Sequence, residues 1–168
     1  MGHPHVAGCT GSTSERVVIE EYPLPGEALL DMGDFVGAVL KYLRRHPVPR
    51  LTIAGGFAKM SKLADGQMDL HSGRSQVDTT FLAGLAGDVG ASPSLVASIT
   101  DAKIGLRALQ LCQAEGVPLG HAVAVAARDA ALLALRGAPV TVDTICIDRA
   151  GGIVGRAQPA GPHRLEQP

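Results

Sequence analysis

Two glycines followed by two lysines form the stretch of this sequence whose chemistry is easiest to interpret. Gly55 and Gly56 directly follow an apolar run at 51–54, and Lys59 and Lys62 lie three residues apart just beyond. A glycine pair lets the backbone approach a ligand closely, and the first turn of a helix offers free N–H groups and lysine charge to an anion. The pattern is also typical of a solvated helix start, and it is neither a Walker nor a G-x-G-x-x-G motif. Both interpretations stay open.

A second group of reactive side chains lies in the segment His71-Ser72-Gly73-Arg74, which brings together an imidazole, a hydroxyl and a guanidinium. A general acid or base at His71 needs a partner, and Asp78 is the nearest candidate along the chain. A lone histidine in a loop is more often simply solvated. The sequence has no H-x-x-H, H-E-x-x-H or cysteine–histidine cluster, so it predicts no metal site.

Two further polar segments follow short apolar runs. Ser12 precedes Glu15 by three residues, which is the spacing of a capping box and favours a helix start over a ligand-facing loop. Asp34 follows another apolar run. It is either the N-cap of the next helix or a side chain directed into the cleft where open α/β sheets bind ligands.

The elements that must position these residues alternate between strand and helix, which indicates parallel β-α-β units. In the first half we predict strands at 6–10, 28–32 and 51–54 and helices at 14–22, 35–46 and from Phe57 to about Asp65, followed by a short extended piece at 67–72. In the second half we predict helices at 78–90, from Ser92 onward, at 101–115 and at 119–135, then a strand at 139–148 with a hairpin partner at 153–157.

The predicted fold class is therefore α/β, a mostly parallel sheet with flanking helices that is closed by a C-terminal antiparallel hairpin. We assign residues 1–157 to one domain. From Gln158 the chain is rich in proline and glycine without periodicity, so we predict a disordered tail at 158–168.

Composition narrows the functional classes. The chain has 168 residues, 3% aromatics and a net charge of -1 without a basic block, so binding to nucleic acid or to a membrane surface is not expected. Its three cysteines are widely spaced, which predicts reduced thiols. With neither a signal-peptide pattern nor an apolar run of membrane-spanning length, we expect a soluble cytoplasmic protein.

Several segments, taken in order, resemble the C-terminal half of the cobalt-precorrin-5B methyltransferase (CbiD) family. They are Thr10–Glu15 (TGSTSE), Met32–Gly37 (MGDFVG), Ile53–Gly66 (IAGGFAKMSKLADG), His71-Ser72 and Asp148–Gly155 (DRAGGIVG). The resemblance covers nearly all of the chain up to the tail. Family members are about twice as long, so we interpret the chain as a fragment. The partners we expect are the missing N-terminal half or a second copy of the chain.

The resemblance implies methylation of carbon 1 of a cobalt-containing corrin precursor, with S-adenosylmethionine as methyl donor, in cobalamin biosynthesis. On this basis we assign the methyl donor to Thr10, Gly11, Ser14, Glu15, Asp34, Gly55 and Gly56. The tetrapyrrole substrate is assigned to Lys59, Lys62, Ser72 and Arg74, because lysine and arginine can pair with its rim carboxylates. His71 or Asp78 would assist deprotonation or orient a ring edge. The alternative is a non-catalytic module that binds a corrinoid or another anion.

Overall fold

Short runs of apolar and β-branched residues form the strands of the protein. The computed structural model describes residues 2–162, in which five strands make one sheet. They are β1 (His5–Cys9), β2 (Leu29–Asp31), β3 (Arg50–Gly56), β4 (Thr141–Ile147) and β5 (Ile153–Ala160). Leu51, Ile53, Val142 and Ile145 are fully buried, so the central strands are covered on both faces, as parallel strands usually are.

Segments with helical periodicity form seven α-helices within the described residues, and a short 3-10 helix, Gly26–Ala28, precedes β2. The α-helices are α1 (Ser12–Glu21), α2 (Val36–Arg45), α3 (Phe57–Ala64), α4 (Thr79–Asp88), α5 (Pro93–Thr100), α6 (Gly105–Ala114) and α7 (Leu119–Leu135). On one face of the sheet, Val17 and Val18 of α1 pack against Ala54 and Ile145. The larger core on the opposite face contains residues from α2 to α7.

The strand order is β2-β1-β3-β4-β5, with the first four strands parallel and β5 antiparallel to β4. This confirms the predicted fold class, including the C-terminal hairpin. From β1 the chain moves outward to β2, and it then returns past β1 to β3. The direction of winding therefore reverses between β1 and β3, and open α/β sheets bind ligands beside the carboxyl ends of the strands at such a switch point.

Besides shifts of one or two residues at other ends, the structure differs from the predicted elements in three segments. The segment at 67–72 forms no strand in the structure. The helix predicted from residue 101 begins only at Gly105, because Asp101 ends α5 and Ile104 has an extended backbone. Strand β5 continues to Ala160, three residues into the predicted tail, because Ala160 pairs with Val142. Proline is tolerated there since β5 is an edge strand. The rest of the predicted tail, at 163–168, lies outside the described residues.

The C-terminal hairpin is fixed to the body of the protein by a close backbone contact between α7 and β5. Gly120 of α7 and Gly155 of β5 approach so closely that a Cβ on either would overlap the backbone of the other segment. Thr144 of β4 also donates a 2.6 Å hydrogen bond to the carbonyl of Ala124 in α7. The turn between β4 and β5 is thereby positioned beside the carboxyl end of β3.

Candidate ligand site at the carboxyl edge of the sheet

A cavity of about 430 Å³ opens at the carboxyl ends of β1, β3 and β4. Its walls are residues 10–14 after β1, 56–59 after β3 and 147–149 at the end of β4, and Leu106 and Leu109 of α6 form an apolar side. The cavity therefore lies at the switch point between β1 and β3. The topology of the chain and the shape of its surface indicate the same place for a ligand.

Two helices begin at this cavity, and both have glycine as the N-cap. Gly11 precedes α1 and Gly56 precedes α3. The cavity is lined by the first turn of α1, residues 12–14, and by the first turn of α3, residues 57–59. The first N–H groups of a helix have no acceptor within the helix. Because glycine has no side chain to accept them, these N–H groups remain available to a ligand, and both helix dipoles favour a negative charge there.

Neither N-cap glycine is required by backbone strain. Gly11 has an extended backbone (φ -178°) and Gly56 has φ -63°, and nothing lies within 4 Å of a Cβ placed on either. Other residues could adopt both conformations. What distinguishes glycine at these positions from the usual N-cap residues is therefore that it has no side-chain acceptor to occupy the N–H groups.

The predicted capping box at the start of α1 was wrong by one residue. Ser14, and not Glu15, reaches back to the N-cap: its hydroxyl accepts from the Gly11 amide at 3.1 Å and donates to the Gly11 carbonyl at 2.8 Å. Ser14 is buried and lines the cavity, whereas Glu15 is half-buried and does not. The Glu15 amide donates to the Gly11 carbonyl and so closes the first helical turn.

Lys59 carries a positive charge at the wall of the cavity. Its ammonium lies 3.0 Å from Asp34 Oδ1 and donates to the carbonyl of Thr10 at 3.3 Å. The Oδ1 atom of Asp34 is buried and accepts no well-aligned hydrogen bond from the described residues, so its contact with Lys59 is that of a charge pair rather than a directed bond. Asp34 is neither the N-cap of α2, which is Phe35, nor part of the cavity wall. It lies behind Lys59.

Gly55 is needed for packing beneath the cavity. A Cβ at Gly55 would lie 2.8 Å from Thr10 Cγ2 and 3.1 Å from the sulfur of Met60. Thr10 itself is 8% exposed and lines the cavity. Gly55 thus allows the ends of β1 and β3 to come together. The sequence predicted a close approach to a ligand at this position, whereas the close neighbours in the structure are side chains of the protein itself.

Lys62 lies in the interior, away from the cavity wall. Its side chain is only 6% exposed, and its ammonium donates to the carbonyl of Leu70 at 3.0 Å. The amide of Leu70 in turn donates to the Asp34 carbonyl. Since a buried ammonium is costly without a partner, Lys62 holds the loop after α3 in place.

The structure places His71, Ser72 and Arg74 on this exposed loop, outside the cavity wall. His71 Nδ1 accepts from the Gly73 amide at 3.0 Å. The Arg74 guanidinium contacts Asp69 at 2.5 Å, and this hydrogen bond holds the pKa of the Asp69 carboxyl below its usual value. No hydrogen bond within residues 2–162 involves the Ser72 side chain.

Asp78 is the N-cap of α4. Its Oδ1 accepts from the Thr80 amide at 2.9 Å and the Phe81 amide at 3.2 Å. In the part of the chain that the structure describes, no hydrogen bond joins Asp78 to His71. The structure therefore gives Asp78 a capping role, and the catalytic assignment of His71 and Asp78 stays a prediction.

The sequence interpretation missed the wall formed by the hairpin turn. Asp148 Oδ1 accepts from the Ala150 and Gly152 amides at 2.9 and 2.8 Å, which fixes the turn. Arg149 is exposed at the cavity and has no ion-pair partner among the described residues. The turn itself was predicted, from Asp148 and the glycine pair at 151–152 between two strands, but its position next to β3 was not.

The nearby thiol is not a nucleophile. Burial raises the pKa of Cys9, at the end of β1, to about 12, and the carboxylates of Glu15 and Asp31 add to the shift. Cys112 and Cys146 are also buried, and all three cysteines are free. The cavity wall therefore presents helix N–H groups, the Lys59 ammonium and apolar side chains rather than a reactive thiolate.

The opposite, amino edge of the sheet contains a polar cluster that is closed on itself. Asp143 is 1% exposed and accepts from Arg50 Nε at 3.0 Å, the Thr52 hydroxyl at 2.9 Å and the Tyr22 hydroxyl at 2.9 Å. Because Thr52 gives its one hydroxyl proton to Asp143, His5 Nε2 must be the donor in its 2.7 Å contact with Thr52. Burial and the nearby Arg50 charge lower the pKa of His5.

Together, these features define an open, doubly wound α/β domain with a cavity at its switch point that two helix starts face. Residues 69–158 match the family described as CbiD, C-terminal domain, and the chain therefore belongs to the CbiD family. No solved structure is significantly similar to the chain. Within the described residues, no helix has both the length and the apolar character needed to cross a membrane.

Curated relatives named cobalt-precorrin-5B C(1)-methyltransferase cover nearly all of the chain. The protein of Paramagnetospirillum magneticum is 56% identical over 153 residues, which are 91% of this chain and 42% of the relative. Those of Brucella anthropi and Rhodospirillum rubrum are 53% and 51% identical over 92% of this chain. The chain spans 42–43% of the length of these relatives.

Proposed function

We propose that this chain is the C-terminal part of an enzyme that transfers a methyl group from S-adenosylmethionine to carbon 1 of cobalt-precorrin-5B, in cobalamin biosynthesis. The names of relatives that are more than 50% identical support the reaction. The observation that carries the role of this chain is the cavity at the switch point, where two helix starts present free N–H groups beside an apolar wall.

The cavity suits the methyl donor better than the substrate. Its volume of about 430 Å³ lies within the range of about 300–1,000 Å³ that is usual for small ligands. The carboxylate of S-adenosylmethionine would accept from the N–H groups at the starts of α1 and α3, and Leu106 and Leu109 would contact the adenosine. Of the residues assigned to the donor, Thr10, Gly11, Ser14 and Gly56 line this cavity.

The other residues assigned to the methyl donor would act on it indirectly. Gly55 allows the close approach of Thr10, Asp34 holds Lys59 by charge, and Glu15 closes the first turn of α1. A four-ring macrocycle is much larger than the donor, so it would lie outside the cavity mouth. The exposed side chains of His71, Ser72 and Arg74 would be available to a ligand outside the cavity.

The protein's own groups contribute mainly alignment. Transfer from a sulfonium breaks its carbon–sulfur bond as the new carbon–carbon bond forms, and the reaction depends on holding donor and acceptor in line. Lys59, held by Asp34 and the Thr10 carbonyl, would fix an anionic group at the cavity wall. A cytoplasmic location, and a partner that is either the remaining part of the longer relatives or a second copy, are part of the same proposal.

Calorimetric titration of the purified chain with S-adenosylmethionine tests the role of the cavity. We expect saturable heat with one site per chain, and competition by S-adenosylhomocysteine, which has the same carboxylate and adenosine. Absence of donor binding, together with retained binding of a corrinoid, would favour the alternative of a non-catalytic module. Methyl transfer is then measured with the full-length relative from Paramagnetospirillum magneticum and with its variants at the aligned positions.

A further inference from the structure

A shallow, open depression of about 600 Å³ lies between the end of α5 and the first turns of α6. Its floor and rim include Ser98, Asp101, Lys103, Ile104, Arg107 and Leu111. None of these positions belongs to a sequence motif discussed above. The depression is large but open, so it suits the edge of a large ligand rather than a small molecule enclosed on all sides.

The depression carries two basic side chains that are available to a ligand. Lys103 and Arg107 are exposed and lie four residues apart, and neither has an ion-pair partner among residues 2–162. Six other basic side chains do form ion pairs: Arg16, Arg50, Lys59, Arg74, Arg128 and Arg156. Asp101 is the acidic group that lines the depression, so two positive charges face one negative charge there.

An exposed apolar side chain lies between these cations. Ile104 is 58% exposed, and the half-buried Leu111 lines the same depression. Apolar surface flanked by lysine and arginine complements a ligand that has an apolar ring system and carboxylates at its edge. Such a ligand would cover Ile104 while its carboxylates pair with Lys103 and Arg107.

The depression and the cavity share one helix turn. Leu106 lines the cavity, whereas Ile104, the N-cap of α6, and Arg107, the residue after Leu106, line the depression. Gly105 packs against the first turn of α3, since a Cβ there would lie 3.6 Å from the ring of Phe57, a cavity residue. A ligand in the depression is thus one turn of α6 away from a ligand in the cavity.

We infer that the depression at the start of α6 binds the carboxylate-bearing edge of the tetrapyrrole substrate, with Lys103 and Arg107 as carboxylate ligands and Ile104 as the apolar contact. This inference rests on the proposed function, in which the donor occupies the cavity and the macrocycle remains outside it. Arginine can bind a carboxylate through two parallel hydrogen bonds, and lysine supplies a point charge.

The test uses cobyrinic acid, a stable corrinoid whose side chains end in carboxylates, and follows its visible absorption as the 168-residue chain is added. The double variant Lys103→Gln/Arg107→Gln should bind about tenfold more weakly, as expected for the loss of two partly exposed charge contacts. The affinity of the double variant for cobyrinic acid should also depend less on salt concentration than the affinity of the unsubstituted chain does.

The matched control is Lys41→Gln/Arg45→Gln on α2. These two exposed cations also lie four residues apart, beside Tyr42, which is 61% exposed, but they are near the end of α2 that leads to the amino edge. The control should keep the affinity of the unsubstituted chain. Circular dichroism of all variants checks that the fold is retained.

Two results with the variants would overturn the inference, as would the absence of cobyrinic acid binding by the unsubstituted chain. Unchanged binding by the variant at 103 and 107 would exclude the depression, and equal losses in both double variants would indicate attraction by general charge. Neither result bears on the proposed function, which is tested separately by the binding of S-adenosylmethionine. If the unsubstituted chain binds the donor but no cobyrinic acid, only the substrate inference fails. If it binds neither ligand, the proposed function fails with it.

Discussion

The two edges of the sheet use their polar groups in opposite ways. At the amino edge, Asp143 is buried and accepts from Arg50, Thr52 and Tyr22, so the cluster satisfies itself. At the carboxyl edge, the glycine N-caps of α1 and α3 leave helix N–H groups without a capping side chain. Polar groups that hydrogen-bond to one another stabilise the fold, whereas polar groups without a partner at a concave surface are available to a ligand.

This comparison also explains why residue type alone misleads. A buried aspartate beside histidine, tyrosine and arginine has the composition of a catalytic site. The hydrogen bonds of Asp143, however, come from side chains of the protein itself, and Asp143 has almost no exposed surface left for a substrate. The cavity at the other edge is lined mostly by serine, threonine, glycine and apolar residues, with Lys59, Asp148 and Arg149 as its charged side chains. Part of what this cavity presents to a ligand is the backbone N–H groups of two helix starts, which the side-chain sequence does not display directly.

The largest effect is expected from Asp143→Ala. Removing this carboxylate leaves Arg50 and two hydroxyl groups without their acceptor, and we expect the free energy of unfolding to fall by about 3 kcal/mol. Urea denaturation measures the change. Asp129→Ala, which removes the exposed partner of Arg128, should cost about 0.5 kcal/mol or less. Comparable losses in the two variants would contradict a structural role for the amino-edge cluster.

Gly56→Asp tests the opposite edge. A carboxylate at this N-cap would accept the free N–H groups of α3, so the affinity for S-adenosylmethionine should fall about tenfold. Stability should rise by a few tenths of a kcal/mol, since aspartate is only slightly better than glycine as an N-cap. Gly56→Ala is the control, because it adds a Cβ in open space without an acceptor and should retain the affinity. Equal weakening in both variants would point to steric exclusion.

Substitutions of Asp78 can distinguish a helix-capping role from a catalytic role. Asp78→Ala should lower the free energy of unfolding by about 1 kcal/mol, because the Thr80 and Phe81 amides lose their acceptor. Asp78→Ser keeps a capping oxygen but cannot act as a carboxylate base, so it should restore most of the stability. Methyl transfer by the corresponding variants of the full-length relative then tests the prediction of catalysis. Activity restored together with stability would leave Asp78 a capping role alone.

The smallest effect concerns pH. The pKa of His5 in the folded protein lies below its usual value of 6.5, so the unfolded chain binds more protons between the two values. Stability contributed by neutral His5 is therefore present above pH 6.5 and is lost as the pH falls through the lowered pKa. His5→Gln should flatten this part of the stability profile, measured by urea denaturation from pH 5 to 7.5, and leave donor binding unchanged. If stability changes with pH as steeply in His5→Gln as in the unsubstituted chain, titratable groups other than His5 cause the pH dependence.

Local signals predicted much of the fold. The Ser92-Pro93 pair starts α5 as expected, since Ser92 Oγ accepts from the Leu95 amide at 3.1 Å, and the alanine-rich pattern at 119–135 is α7. The alternation of strands and helices indicated a parallel sheet. Strand order could not be read in the same way, because it depends on contacts between segments far apart in sequence.

The site was harder to predict for the same reason. Lys59 and Lys62 have the same chemistry and adjacent positions, yet Lys59 lines the cavity while the 67–75 loop folds over Lys62. The position of Arg149 at the cavity follows only from the pairing of β3 with β4. Sequence spacing identified the ends of β1 and β3 as candidate sites, but it did not reveal which side chains the loops would cover.

The hairpin turn at the end of β4 has a further consequence for ligand binding. Its backbone is already fixed by the two hydrogen bonds to Asp148 and by the close contact between α7 and β5. Ordering a flexible loop on binding costs about 1–2 kcal/mol for each residue whose backbone becomes fixed. Because this turn is fixed beforehand, a ligand bound there would be held with little loss of backbone entropy, and the affinity of this wall would depend mainly on the contacts of the Arg149 side chain.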